Sequence, residues 1–549
     1  MTQINNGINN PDIQPQIGAE LGEFNPLVNP ELALQTYESF AAGPTRKDER
    51  EAFKNDQTHH LEMTYPDLDY EVAVQTQETL ETLREKAAAT YGEGSLTVSS
   101  IDYRIQEAEF LQIAARFNAA SQTDNLAELQ DLAEQFVRSN DQLYGKPDQE
   151  IVDTMLFDLK QRYTSDDPRV QKLWSELEAG FSMQLADGTD VSVQALEIPK
   201  EAKRQLPELS EQAKELLAAE WKLMFPAVVE ARGLLGDIIA AEQGFESNYD
   251  LNEIKFSGKR TADLFRIAVQ GLADQHQTSP FAVEESEQGT TASWESGRQA
   301  VVVGLNMIPK KWSGVRETGV HESMHGLKSS NGLLSGEPAM ATGVFSSKAD
   351  GSFVDYLTYE EGNNSLGEQV VGMAEEDSGV VKGRYNYLLM AGLVYRGFSD
   401  RQVKEVFEKL VTIERICLEP DFDMQKAAPE IAEQVTTRGV MRLFRGTPTN
   451  APVTVDGHMP IFTKDIAYYN GRVIATEFWN GVEEDAVVVG QSAYEQAIAA
   501  GQSTTKAEQA KRNATREYFH EIFEIQAQGK IDPTEPVQYA AAKAAYQKR

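Results

Sequence analysis

The sequence predicts an α-rich α+β protein, and three observations lead to this class. Long stretches of the chain place apolar residues at three- and four-residue steps, which is the spacing of amphipathic helices. A short run of β-branched residues, "AVVVG", lies in the middle of the chain and is typical of a strand. Hydrophobic residues make up 41% of the 549 residues, which is enough for more than one packed core. We therefore expect many helices around a small sheet.

The N-terminal part of the chain divides into two predicted segments. Residues 1–30 are rich in Asn, Gln, Pro and Gly and are expected to be flexible. Residues 31–230 form a predicted helical region, in which Gly, Pro, Asp and Asn separate the periodic stretches. One interruption alternates around Asp187-Gly188, and we expect a β-hairpin at 181–196.

Residues 231–485 are predicted to form a catalytic domain, and residues 486–549 a helical C-terminal tail. Within the catalytic domain, "TASWESGRQAVVVGLNMI" predicts one or two strands, and "PKKWSG" predicts a turn before the next helix. Toward its end, "RGVMRLFRG" and "MPIFTKDIAYYNGRVIATEFW" have a mixed composition that is typical of strands. Three helices are expected between these stretches, at 365–377, 384–396 and 400–416, and Ser399 with Gln402 predicts a capping box for the last of them.

Charge and cysteine content limit the possible partners and metal sites. The net charge of −35 disfavours nucleic acid and anionic membranes, because both would be repelled before contact. The first residues lack the basic start and apolar core of a signal peptide, so we expect a cytoplasmic protein. Cys417 is the single cysteine, which rules out an intramolecular disulfide and a thiolate cluster. Any metal site must therefore use histidine and carboxylate.

The most informative stretch is "VHESMH", in which His321 and His325 flank Glu322. With seven histidines in the chain, a chance His-Glu-x-x-His has a probability of roughly one per cent. On an α-helix the two imidazoles lie one turn apart on one face, within reach of a single Zn²⁺ at about 2.0–2.1 Å, and Glu322 can act as general base on water. The alternative is a polar pair on a solvated helix face. The neighbouring Val320 and Leu327 favour a partly buried helix instead.

A catalytic zinc site also needs a third protein ligand and an open position for water. The best candidate lies in "DYLTYEEGNNSLGEQVVG", where Glu360 and Glu361 precede Gly362 at the expected start of a helical segment. One carboxylate could bind the metal, while its neighbour accepts a hydrogen bond from a ligand histidine. The alternative for paired glutamates in an acidic protein is a solvated turn.

Several blocks together resemble the metallopeptidase family of microtubule-associated tyrosine carboxypeptidases and their bacterial relatives, which carry a Gln-Glu-Gly-Leu-Ala motif. The resemblance covers roughly residues 35–480. It rests on "TRKDEREAFKNDQTHHLEMTYPDLDYE", "DQLYGKPDQE", "VHESMHGLKSSNG", "YEEGNNSLGEQ", "RYNYLLMAGLVYRGFSDRQVKEVFEKL", "RLFRGTP" and "FTKDIAYYNG". It implies a zincin-like catalytic domain and a zinc-dependent carboxypeptidase, with His321, His325 and Glu361 as ligands and Glu322 as the base.

The chain departs from this family in two places. Two residues separate Glu322 from His325, where the family has three, so a strict register would put Arg316 and Glu317 at the His-Glu positions and His321 at the second histidine. The spacing to Asn331-Gly332 favours His321 and His325. After Gly362, two asparagines, Asn363 and Asn364, replace a small apolar pair, which changes the expected shape of the neighbouring pocket.

A carboxypeptidase must also hold the terminal carboxylate of a peptide or protein with a cation. Lys464 and Arg445 are the preferred pair, Arg442 and Arg384 are further candidates, and Tyr468 or Tyr469 could donate a hydroxyl to the oxyanion.

An extended peptide could lie along a strand edge at 299–305. Two alternatives stay open. The same metal chemistry would serve an endopeptidase or aminopeptidase without the carboxylate-binding cations. A non-catalytic binding or regulatory protein would keep a vestigial site.

Overall fold

The chain is described here from a computed structural model. The described residues are 21–548, apart from 35, 41–45, 225–237, 245–253, 277–280, 288, 290, 349–352, 373–385 and 420. Most of the predicted flexible segment therefore lies outside them, as does the cation candidate Arg384. The described part is rich in helices and has only small sheets, which confirms the α-rich α+β class. None of its helices is long and apolar enough to cross a membrane.

In the described residues up to 224, the N-terminal part consists of helices, connecting loops and one hairpin. Side chains of Asp or Asn cap the starts of four of its helices, at Asp69, Asn125, Asp148 and Asp167. The predicted hairpin is confirmed, with β1 paired to β2 in antiparallel register. The elements are α1 Thr36–Ser39, α2 Arg46–Lys54, α3 Tyr70–Tyr91, α4 Leu96–Ala120, α5 Leu126–Tyr144, α6 Gln149–Arg162, α7 Pro168–Ala179, β1 Phe181–Gln184, β2 Asp190–Val193 and α8 Glu211–Met224.

The rest of the chain mixes short strands with helices. Its elements are β3 Lys255–Phe256, α9 Gly258–His276, β4 Ala282–Ser286, β5 Ala292–Glu295, β6 Ala300–Gly304, β7 Lys310–Lys311, α10 Trp312–Ser335, α11 Ala339–Thr342, β8 Phe345–Ser347, β9 Phe353–Asp355, α12 Tyr356–Gly372, α13 Asn386–Tyr395, α14 Asp400–Leu418, α15 Met424–Val435, α16 Met441–Leu443, α17 Ala467–Ala499, α18 Thr504–Gln526 and α19 Pro536–Lys548. The capping box of Ser399 and Gln402 at the start of α14 is confirmed.

The largest sheet has three strands in the order β4-β6-β5, with β4 parallel and β5 antiparallel to β6. All five residues of β6 are buried, so its uninterrupted apolar run belongs to the centre of the sheet. The prediction that residues 299–305 form a strand edge is therefore wrong. β5 lies at the edge instead, and it contacts the helix that carries the histidine motif.

Three further predictions of local structure are wrong. The stretch 438–446, expected to be strand-like, is helical up to Leu443 and contains α16. The expected turn "PKKWSG" contains β7, which pairs with β3, and Trp312 then begins α10 with its ring 5.6 Å from that of Phe256. The stretch expected to be strand-like at 459–479 contains the start of α17, a helix of 33 residues. α17 packs on both α12 and α18, and this burial outweighs the strand preference of its β-branched residues.

The hydrophobic core runs across the predicted domain boundaries. One cluster joins Val320 and Met324 of α10 to Trp221 of α8 and to Phe519 and Phe523 of α18. A second cluster joins α6 to α13 and α14. The boundaries at 230/231 and 485/486 stay predictions, but the helical tail is packed against the histidine helix.

Candidate metal centre

Helix α10 carries both histidines into the interior of the protein. His321 is 2% exposed and His325 is 5% exposed, and their ring centroids lie 4.9 Å apart. Glycines allow neighbours to approach this helix closely: a Cβ on Gly326 would lie 2.4 Å from the Phe281 ring. The histidines therefore occupy a buried helix, as the apolar flanks of the motif predict.

Glu361 of α12 lies between the two imidazoles. Its Oε2 is 3.1 Å from Nε2 of His321, and its Oε1 is 3.7 Å from Nε2 of His325. One potential ligand atom from each of the three residues lies within 4.8 Å of the other two. In a tetrahedral zinc site with bonds of about 2.0–2.1 Å, ligand atoms are about 3.3 Å apart. The three side chains therefore fit a zinc ion with small adjustments.

The remaining nitrogen of each histidine contacts a second carboxylate. Nδ1 of His321 lies 2.8 Å from Oε1 of Glu368, and Nδ1 of His325 lies 2.8 Å from Oε1 of Glu360. Carboxylates accept hydrogen bonds, so this network assigns a proton to each Nδ1 and leaves the Nε2 lone pairs toward Glu361. The neighbour of Glu361, Glu360, thus contacts a candidate ligand histidine, which is the contact that the sequence predicts.

Glu368 was missed by sequence reasoning. It lies seven residues after Glu361, which is about two helical turns and places both carboxylates on one face of α12. That spacing is a usable signal only if a helix already runs through Glu361, and the sequence predicted the helix to start later, at 365.

The glutamates lie inside α12 and not at its start. The helix begins at Tyr356, and Leu357 N–H donates to Oδ1 of Asp355 over 2.7 Å. The helix continues through Gly362. A Cβ at this position would lie 1.9 Å from the carbonyl carbon of Gly471 in α17. The glycine therefore serves a close contact between two helices.

Buried charges surround Glu360. Burial alone would raise the pKa of its carboxyl group, but Lys530, His325 and Lys328 outweigh burial and lower that pKa to about 2. Burial lowers the pKa of Lys328 to about 8 and also lowers the pKa of Lys530, while Glu360 opposes both shifts. Glu360 is thus an anion at neutral pH, as its contact with His325 requires.

The two asparagines after Gly362 are part of the buried framework. Asn363 Oδ1 accepts a hydrogen bond from Trp479 Nε1 over 2.8 Å, and Asn364 Nδ2 donates to the carbonyl oxygen of His321 over 3.3 Å. Both residues are 0% exposed. They tie α12 to α17 and to α10, and larger apolar side chains could not form these bonds.

Glu322 is held by the edge strand β5. The Trp294 backbone N–H donates to Oε2 of Glu322 over 2.7 Å, and the carboxylate is 7% exposed. This bond fixes one oxygen of the carboxylate. The other oxygen is the one available to a molecule in the neighbouring cavity.

The histidines, Glu322 and Glu361 line a cavity of about 230 Å³. The predicted side chains Arg442, Arg445, Lys464 and Tyr468 line the same cavity. The complete lining is Ser293, Trp294, Ser296, His321, Glu322, His325, Tyr356, Leu357, Glu361, Arg442, Arg445, Lys464, Ala467, Tyr468 and Lys530.

Tyr469 is not brought to this cavity. Successive residues of a helix point about 100° apart, and Tyr469 packs in the second hydrophobic cluster and lines a different cavity with Arg472. Of the two tyrosines offered by the sequence, the structure therefore selects Tyr468. Arg384 lies outside the described residues.

Two of the predicted cations already have anionic partners. Lys464 Nζ donates to Glu107 Oε1 and to Thr36 Oγ1, each over 3.2 Å. Arg442 contacts both carboxylate oxygens of Asp465, at 2.8 and 2.9 Å. These pairs compensate both charges and hold the cavity wall in place.

Lys530 is a cavity residue that sequence reasoning did not find. It lies between α18 and α19, in the predicted helical tail, and is 2% exposed. No local sequence motif marks Lys530. The packing of the helical tail against α10 brings this residue to the cavity.

Comparison with known proteins adds no functional assignment. No family model matches the chain, and no curated protein matches it. A candidate lipoprotein from Colwellia psychrerythraea is 11% identical, with 96% of this chain and 99% of that chain covered and a TM-score of 0.29. A structure described as BsuCP is 9% identical, with 91% of each chain covered and a TM-score of 0.21.

Proposed function

We propose that this protein is a zinc-dependent metallopeptidase that removes C-terminal residues from a peptide or protein. The observation that carries the proposal is the convergence of His321 Nε2, His325 Nε2 and the Glu361 carboxylate, with both Nδ1 atoms held by other carboxylates. Glu368 and Glu360, which contact the two Nδ1 atoms, make the histidines better metal ligands.

The donor set suits zinc. Two imidazoles and one carboxylate are the protein ligands of many catalytic zinc sites, and a tetrahedral ion would keep one position open. When bound, zinc supplies Lewis acidity toward a carbonyl oxygen and makes a water molecule a stronger acid.

Glu322 has the position of a general base. With its Oε2 held by the Trp294 N–H, its Oε1 takes a proton from water as the water oxygen bonds to the peptide carbonyl carbon. The same carboxyl group then gives the proton to the leaving nitrogen as the C–N bond breaks. The products are a peptide shortened by one residue and a free amino acid.

The choice of a carboxypeptidase over other peptidases rests on the cations at the cavity. Arg445 lines it together with Tyr468, and both lie in the sequence blocks that resemble the tyrosine carboxypeptidase family. An endopeptidase or aminopeptidase with the same metal chemistry is the alternative.

A mixed peptide library, incubated with zinc-loaded protein and read by mass spectrometry, tests this function. Products shortened by one residue at the C-terminus support a carboxypeptidase, and C-terminal amidation should then abolish cleavage. Internal cleavage, or N-terminal shortening that acetylation prevents, would identify one of the alternatives. Careful preparations that bind no zinc would refute the metallopeptidase.

A further inference from the structure

We propose that Lys530 binds the terminal carboxylate of the substrate, so that the C-terminal segment of the chain completes the active site. This inference rests on the proposed function, because it assigns the carboxylate-binding cation of that same cavity. The sequence had placed this role on Lys464 and Arg445.

Lys530 is a buried ammonium group without a close partner. Within the described part of the chain, its Nζ donates no hydrogen bond, and the nearest carboxylate oxygen is Glu360 Oε1 at 4.0 Å. Its Nζ lies 5.7 Å from the ring centroids of Trp294 and Tyr356, two aromatic residues of the cavity lining. A lysine in this setting gains most from an anion that enters the cavity.

The predicted cation Lys464 differs in this respect. Lys464 lines the same cavity, but its Nζ already donates to a buried carboxylate, that of Glu107, and to Thr36. Recruiting Lys464 would break a buried ion pair, whereas Lys530 has no such bond to lose.

Lys530 lines the same cavity as His321, His325 and Glu322. Its Nζ lies 4.0 Å from Oε1 of Glu360, and that oxygen lies 2.8 Å from Nδ1 of His325. A substrate in this cavity can therefore place its terminal carboxylate at Lys530 while the bond to be cleaved faces Glu322.

The backbone holds Lys530 in place on both sides. Its N–H donates to the carbonyl oxygen of Met340 over 2.8 Å, and its carbonyl oxygen accepts from the Val344 N–H over 2.9 Å. Asn331 of α10 also donates to the carbonyl oxygen of Ala527 over 2.7 Å. The segment is thus fixed to the histidine helix, and a fixed cation loses little entropy when the substrate binds.

Kinetics on N-acetyl-Ala-Phe and its C-terminal amide test the proposal with zinc-loaded Lys530→Met. Methionine keeps most of the apolar stem but removes the charge. We expect KM for the acid to rise about 10- to 100-fold, the loss of one charge-assisted hydrogen bond, with kcat changed only a few-fold. Lys530→Arg should recover part of the affinity.

Lys328→Met is the matched control. Lys328 is also a buried lysine whose charge acts on Glu360, but it does not line the cavity. If Lys530 acts only through Glu360, both variants should raise KM equally, which would overturn the proposal. An unchanged KM, a fall in kcat alone, or loss of zinc in Lys530→Met would also overturn it.

A binding measurement separates this inference from the proposed function. In Glu322→Gln protein loaded with zinc, calorimetry should show tighter binding of N-acetyl-Ala-Phe than of its amide, and Lys530→Met should remove that difference. If the wild-type protein cleaves no peptide, the proposed hydrolysis fails, and the binding comparison still decides the role of Lys530. Equal binding of acid and amide before the lysine is changed would refute it.

Discussion

Glu368 Oε1 lies 2.8 Å from Nδ1 of His321, while Nε2 of the same ring lies 3.1 Å from Glu361 Oε2. One imidazole thus connects a supporting carboxylate to the candidate ligand carboxylate, and both carboxylates belong to α12. The arrangement fixes the ring orientation and raises the basicity of the nitrogen that would bind the metal.

Replacing Glu368 should weaken zinc binding without removing a ligand. We expect Glu368→Ala to lower zinc affinity about 10- to 100-fold, because His321 loses the acceptor for its Nδ1 proton. Competition with a chromogenic chelator measures the zinc affinity. The affinity of Glu368→Gln should lie between those of the wild type and the alanine variant. Unchanged affinity in the alanine variant would show that the contact has no role in metal binding.

The histidine and glutamate of the motif should separate binding from catalysis. We expect about one zinc per chain in the wild type, loss of zinc in His321→Ala, and retention of zinc in Glu322→Gln with kcat lowered about 10²- to 10⁴-fold. Metal analysis and peptide hydrolysis measure the two effects. A Glu322→Gln protein that keeps full activity would exclude this residue as the base.

The contact between Gly362 and Gly471 should be sensitive to a single methyl group. We expect Gly362→Ala to lower the free energy of unfolding by about 1–3 kcal/mol, because its Cβ would lie 1.9 Å from the Gly471 carbonyl carbon. Zinc affinity should fall with it, since Glu361 is the adjacent residue. Denaturant titration and chelator competition measure the two effects.

Gly481→Ala is the control for this substitution. Gly481 lies on α17, as Gly471 does, but a Cβ there meets nothing within 4 Å. Alanine should therefore be neutral or stabilise the helix by up to about 1 kcal/mol. Equal losses at both positions would show that the close contact is not the cause.

Asp355 should make stability depend on pH. Burial raises the pKa of its carboxyl group from 3.8 to about 7, although the Leu357 N–H opposes the shift. The folded state then binds the proton more tightly than the unfolded state, so this group's contribution to stability is greatest below about pH 4 and is lost as pH rises to about 7.

Asp355→Asn should remove this pH dependence while keeping an acceptor for the Leu357 N–H. We expect the variant to gain thermal stability relative to wild type at pH 8 and to show little gain at pH 4.5. Melting temperatures over this range check the prediction. A wild-type curve parallel to that of the variant would contradict the raised pKa.

Local patterns predicted much of the candidate site. The four-residue spacing of His321 and His325 already requires both rings to share one helix face, whatever the rest of the fold. The hairpin at Asp187-Gly188 and the capping box at Ser399 depend on neighbouring residues in the same way, and both were predicted.

The errors have a common cause in contacts between distant parts of the chain. Glu360 and Glu361 were expected at the start of a helix, but α12 runs through them, and Gly362 permits the approach of Gly471, 109 positions along the sequence. The β-branched residues at the start of α17 suggested strands, but packing on two other helices decided their conformation. The apolar run of β6 indicated a strand and gave no sign of its neighbours.

The sequence by itself therefore determined the class of fold and the histidine pair with Glu322, since these follow from spacing along one or two segments. Spacing left Glu360 and Glu361 as alternative third ligands, and the family resemblance implied Glu361. Only the tertiary structure decided that Tyr468 and not Tyr469 faces the cavity, that Lys464 is paired with Glu107, and that Lys530 lies beside the histidines. The physical reason is that a buried charge is defined by its neighbours, and those neighbours come from segments hundreds of residues apart.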